Sequence, residues 1–125
     1  MSINNQNSPH VVSIKLGAIS ADQLLKLFSL GTRKAVMKSL KVVDPTGVAA
    51  HASNYVKIQL KKGSDLLMEY STQDTAEGAL AAGVWGVAPE SFVEVDGGDI
   101  DLNIDIVGTG ALNALSVAAL EMYYV

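Results

Sequence analysis

Apolar residues in this chain recur mostly at every second position, the period of a strand with one face buried. Tyr55 to Leu60 shows the pattern most cleanly, with Val56, Ile58 and Leu60 on one face and Tyr55, Lys57 and Gln59 on the other. Asp99 to Val107 repeats it, setting Ile100, Leu102, Ile104 and Ile106 against four polar residues. His10 to Leu16 places Val12, Ile14 and Leu16 together, and Gly17 ends it. Lys34 to Val43 alternates less well: Val36, Leu40 and Val42 share a face with Lys38 among them, opposite Ala35, Met37 and Lys41.

Turn chemistry punctuates these runs. Asp44-Pro45-Thr46-Gly47 combines a fixed φ at proline with a glycine that accepts positive φ. Lys61-Lys62-Gly63-Ser64 closes a hairpin into a strand from Asp65 to Ser71. Gly97-Gly98 separates a short strand, Phe92 to Asp96, from the one that follows, and Gly108-Thr109-Gly110 turns the chain again. Leu115 to Val125 has helix-forming Ala and Leu but ends in β-favouring residues, which selects a strand. Thr72 to Pro89, glycine-containing and rich in small residues around Trp85, reads as a surface loop. Ser20 to Leu30 admits two readings: Ser20 and Gln23 have capping-box spacing with Leu24, Leu27 and Phe28 on a helical face, and a strand is the alternative. The sheet-rich context tilts the reading to a short helix or irregular turn leading into a strand.

Seven or eight short strands with turns about every ten residues predict an all-β domain, a single antiparallel β-sandwich or jelly roll with at most one or two short helices. A parallel βαβ architecture would need several helices of about 10 to 15 residues, which the pattern does not supply. The domain should run over 10–125, preceded by a flexible polar arm over 1–9 that ends at Pro9.

Composition supports a packed core. Hydrophobic residues make up 49% of the 125 positions and charged residues 18%. Disordered chains have the opposite balance. The absence of cysteine removes disulfides, thiolate nucleophiles and cysteine-ligated zinc together. The start lacks the basic and apolar runs of a secretory signal, and no run approaches the ~20 apolar residues that span a bilayer, so no membrane partner is expected.

Charge is divided along the chain. All nine Lys and Arg lie between Lys15 and Lys62 with only Asp22 and Asp44 among them, and every later charge is acidic. Because the lysines alternate with apolar residues inside strands and form no block, nucleic acid is not expected as a partner. Either the two halves interleave and neutralise each other in one fold, or basic and acidic patches meet across a subunit boundary and fix its register.

Catalytic signals are sparse. His10 and His51 sit in no nucleophile or metal motif, and neither GxxxxGK[ST] nor GxGxxG occurs. Asp99, Asp101, Asn103 and Asp105 place oxygen ligands at every second position. The helix-loop-helix calcium pattern fails, however, with Ile104 and Gly110 at the positions that need Gly and Glu. On a strand these groups spread at about 6.6 Å per residue pair, which fits a solvated face or an acidic interface stripe rather than a cage. Paired carboxylates at glycosidase spacing follow trivially from such a stripe and carry little weight. Trp85 with Tyr70, Tyr123 and Tyr124 could form a sugar platform, ordinary packing being the default use of aromatics. No enzyme activity, metal or cofactor is expected.

The order of features resembles the decoration, or cement, proteins of tailed-bacteriophage capsids over roughly Val11 to Val125. The segments that carry the resemblance are the alternating opening strand, SNYVKIQLKKGSDLLMEYST, the loop holding Ala81-Ala82-Gly83, VEVDGGDIDLNI, and VGTGAL before a final strand. It implies a jelly-roll domain, often trimeric, bound to the major capsid protein on the outside of a virion and made in the host cytoplasm. The resemblance carries over no binding residue; the candidate contacts read from the chain itself are Ser2, Ile3, Asn4, Asn5 and Gln6 of the arm, Lys34 and Lys38, Trp85, and Asp99, Asp101 and Asp105. The alternative is an adhesion or carbohydrate-binding module that uses the Trp85 loop.

Overall fold

Period-two alternation becomes two antiparallel sheets packed face to face. The computed structural model describes residues 10–125, so the expected arm, with Ser2, Ile3, Asn4, Asn5 and Gln6, lies outside the described residues. Nine strands follow in order: β1 (His10–Lys15), β2 (Gln23–Ser29), β3 (Lys34–Val43), β4 (Tyr55–Lys62), β5 (Asp65–Ser71), β6 (Gly86–Val87), β7 (Val93–Asp96), β8 (Asp99–Val107) and β9 (Val117–Tyr124). The described residues contain no helix.

One sheet has the order β1-β9-β3, with β6 and β7 both pairing the far side of β3, and the other has the order β2-β8-β4-β5. Apart from the β4–β5 and β6–β7 steps, successive strands change layer, wrapping as a jelly roll in which the last two long strands, β8 and β9, occupy central positions. The crossing from β7 to β8 occurs at Gly97-Gly98, where φ is +73° and +90° and a Cβ on Gly97 would lie 2.7 Å from the Gly31 carbonyl oxygen. Only glycine fits that corner.

The core forms where inward faces meet. Val56, Ile58 and Leu60 of β4 and Ile100, Leu102 and Ile104 of β8 are fully buried, with Leu60 opposite Leu102 and Ile58 opposite Ile104. Met37, Leu40 and Val42 of β3 and Ala118, Leu120 and Met122 of β9 face them from the other layer. Val12, Ile14 and Leu16 pack against this core from β1 and its end, as the alternation required.

Three expectations change. First, β3 buries Ala35 and Met37 together with Leu40 and Val42, because a bulge between Met37 and Ser39 inserts one residue against β9 and reverses the phase of the strand. The irregular alternation around Lys38 was the trace of that bulge. Second, Gln23–Ser29 is a strand and not a helix. The helical reading would have buried Leu24, which is 57% exposed, whereas Leu25 and Leu27 turn inward. The unpaired side of β8 supplied a ladder that outweighed the local capping signal, and Asp22 Oδ1 accepts from the Ile106 amide instead. Third, Thr72 to Pro89 is anchored rather than wholly superficial: Thr72, Leu80 and Ala88 are buried, and Leu80 bridges Val48.

Tyr70 explains how that long segment is held. Its ring is buried on β5, and a Cβ at Gly86 would approach its Cζ to 2.7 Å. β6 can therefore close over the ring only as glycine. Burial, and secondarily the negative charge of Glu77, raises the Tyr70 hydroxyl above its ordinary pKa. The segment between β3 and β4 is fixed by Asp44, which is fully buried. Its carboxylate accepts from the amides of Thr46 (3.0 Å), Gly47 (3.1 Å) and Asn113 (2.9 Å) and from the Asn113 side-chain amide.

Candidate interaction surfaces

Outward faces of the two sheets differ in character. On the β1-β9-β3 side, Val11, Ser39, Lys41, Trp85, Ala119 and Glu121 line a shallow open depression of about 180 Å³. Each strand contributes through alternation: residues whose neighbours in sequence point into the core must point out. Trp85, just ahead of β6, stays 45% exposed, and Val87 lies beside Lys41 on the same side. Lys38 Nζ donates to Glu121 Oε1 at 3.0 Å, and Lys34 pairs with Glu94 at 3.2 Å on β7. The basic β3 is thus flanked by acids from later in the chain.

On the opposite layer β8 carries Asp99, Asp101, Asn103 and Asp105 outward. Asp101 sits in register between Lys26 of β2 and Lys61 of β4, and Asp105 lies opposite Lys57. The Asn103 side-chain amide donates to Gln59 Oε1 at 3.0 Å and to Asp105 Oδ1 at 2.9 Å. Neighbouring strands therefore answer the acidic stripe within the sheet. Interleaving of the two halves, not a basic face opposed to an acidic one, is the outcome of the divided sequence.

The residues singled out from sequence are consequently not one patch. Lys34, Lys38 and Trp85 belong to one layer; Asp99, Asp101 and Asp105 belong to the other. The aromatic platform does not assemble either. Tyr70 is inside, and Tyr124 packs at one end of the sandwich against His10 (ring centroids 5.4 Å apart) beneath the Arg33 guanidinium (3.7 Å). His51 Nδ1 accepts from the amides of Ser53 and Asn54, both at 3.0 Å, and so acts as a loop cap. Among the described residues no group of three or more His, Asp or Glu is placed to hold a metal ion.

Sequence reasoning missed two exposed apolar residues in strained backbone. Phe92 has φ +57° and Leu115 has φ +66°, and both remain largely in solvent. Bulky side chains rarely take that conformation. No local signal marks them, because each sits in a segment read as a strand end. Val11 was also passed over, although the alternation that turns Val12 and Ile14 inward obliges it to face out.

No protein-family model and no curated protein sequence matches the chain. Among solved structures, a chain of the cyanophage Pam1 capsid asymmetric unit superposes over 100% of this chain and 90% of its own length, with TM-score 0.54 and 16% identity. The two share a fold. A chain of the acid-stable capsid of Helicobacter pylori bacteriophage KHP30 aligns over 93% of this chain and 94% of its own at TM-score 0.41 and 8% identity. The VP2 subviral particle of infectious bursal disease virus aligns over 94% of this chain but 33% of its own, at TM-score 0.43 and 13% identity.

Proposed function

We propose that this protein is a non-enzymatic structural component of a virion, made in the host cytoplasm, that decorates the outside of a capsid and stabilises it through contacts with the major capsid protein. The observation that carries the reading is a jelly roll that accounts for the whole described chain and has the fold of a phage-capsid chain of similar length. Chemistry on the surface agrees: bases are answered by acids in register, histidines serve packing and capping, and the exposed apolar residues are spread along loops and edges where a protein partner can cover them.

Many equivalent attachment points let individually modest contacts hold, because later contacts form at high effective concentration once the first is made. The direct test is cosedimentation of the purified protein with capsid shells. Binding to expanded empty heads, and not to unexpanded ones, is the expected result; absence of binding to either refutes the proposal. The phage-protein resemblance also implies a homotrimer once the protein is seated on a capsid, which counting copies per site on decorated shells would reveal.

A second reading has one observation in its favour. Trp85 borders an open depression that also offers Ser39, Lys41 and Glu121, the polar groups a sugar ring stacked on indole would require. Glycan binding that is lost in Trp85→Ala would favour this adhesion role over the structural one.

A further inference from the structure

An exposed sheet edge is a template for another strand, and most edges are guarded against that use. Three of the edges here are. On β5 the outward amides of Ser71 and Glu69 donate to carboxylates, Glu77 Oε2 at 2.8 Å and Glu90 Oε2 at 3.2 Å. β2 is interrupted by a bulge between Lys26 and Phe28 and carries the exposed Lys26 at its middle. The far side of β3 is closed by two short strands, β6 and β7. The fourth edge, β1, pairs with β9 in unbroken register from His10↔Met122 to Lys15↔Val117 and, among the described residues, has no cap, bulge or central charge.

The phase of that edge follows from the ladder. Leu16 donates to the Ser116 carbonyl at 2.9 Å in the β1–β9 register. Leu16, Ile14, Val12 and His10 accordingly turn their backbone groups to β9, and Val11, Ser13 and Lys15 turn theirs away. The same logic applied to β5, where the Thr72 amide donates to the Val56 carbonyl, correctly points Ser71 and Glu69 outward toward their carboxylate caps.

We propose that β1 docks against β1 of a second copy of this chain, antiparallel about a two-fold axis at Ser13, joining two sheets into one continuous sheet. Self-complementarity fixes this register. Centred on Ser13, Ser13 meets Ser13 of the partner and Val11 meets Lys15, so every outward amide faces an outward carbonyl. Centring on Val12 or Ile14 leaves one of these residues without a partner from β1. On the core side the same register sets Val12 against Ile14, apolar on apolar, and no two lysines are opposed. Val11 is 65% exposed in one chain. In the pair it is covered by the aliphatic stem of Lys15. The contact is isologous and closes on itself, so it generates a dimer and not a fibre.

This inference stands apart from the capsid reading and is tested on the full chain in solution. Ser13→Pro removes an outward donor without touching the β9 ladder, a position where an edge strand tolerates proline. Sedimentation velocity should show the parent as a dimer and S13P as a monomer with an unchanged far-ultraviolet spectrum. Because the chain has no cysteine, Ser13→Cys supplies a second readout. Opposed residues of a hydrogen-bonded antiparallel pair have Cα atoms about 5.5 Å apart, within disulfide reach. Mild oxidation should link S13C into dimers, while Ser64→Cys in the exposed β4–β5 turn should not link. A monomeric parent whose S13C links no faster than S64C overturns the proposal, and so does an oligomer whose mass persists in a folded S13P.

Discussion

Asp44 shows what a single buried side chain contributes here. Its carboxylate takes hydrogen bonds from its own turn and from Asn113, 69 residues further along the chain, tying the turn after β3 to the loop before β9. Replacement by alanine takes the acceptor from the Thr46 and Asn113 backbone amides, while the Gly47 amide keeps the Asp44 carbonyl and the Asn113 side chain keeps the Gly47 carbonyl, and Asp44→Ala should cost about 2 kcal/mol, read as a lower urea midpoint at constant slope. The turn itself was legible from Asp-Pro-Thr-Gly. The burial of its first residue was not, since the partner that makes burial tolerable, Asn113, cannot be located by local pattern. Tyr70 gives a pH signature by similar means. Its hydroxyl is held protonated in the fold above its ordinary pKa of 10.0. The stabilisation is therefore complete below about pH 10 and declines as pH rises further through the folded value. Urea midpoints measured between pH 8 and 11 should fall in the parent chain and flatten in Tyr70→Phe. Gly86→Ala drives a methyl into the Tyr70 ring. It should destabilise by about 1–3 kcal/mol at any pH.

At the scale of elements, regular alternation made β1, β4 and β8 readable to within a residue or two, because none of them changes the phase of its core-facing side along its length. β3 and β2 were harder for opposite reasons. In β3 the pattern changes phase part-way along, and a strict two-residue period must fail where a bulge sits. In β2 the local sequence satisfies two templates, and the choice was made by β8, which lies far along the chain. The bulge carries a sharp consequence: deleting Lys38 restores strict pairing with β9 and leaves Ala35, Met37, Leu40 and Val42 in plain two-residue alternation on the core face. The deletion variant should therefore keep a cooperative thermal transition. Lys38→Ala leaves the bulge in place and removes a part-exposed pair with Glu121. It should shift stability by no more than about 1 kcal/mol.

For the whole molecule, the uneven charge of the sequence resolves into strands of opposite sign laid side by side. Composition could announce the imbalance but not its solution, because which basic strand neighbours which acidic one is a property of the topology. The same fact divided the residues expected to form one interface between two layers. A reversal tests the ladder: Asp101→Lys would align three bases across β2, β8 and β4. It should lower stability by about 1 kcal/mol, more at low ionic strength than at high.

The placement of β8 and β9 in the middle of their sheets also sets the order of events during synthesis. Until β8 and β9 have been made, β2 has no neighbour to join, and neither β1 nor β3 has the strand that will lie between them. Until then Lys26 of β2 and Lys57 and Lys61 of β4 lack the aspartates of β8 that lie opposite them in the finished sheet. Completion of both layers is thereby deferred until β8 and β9 are available, and the two closing strands finish them almost together.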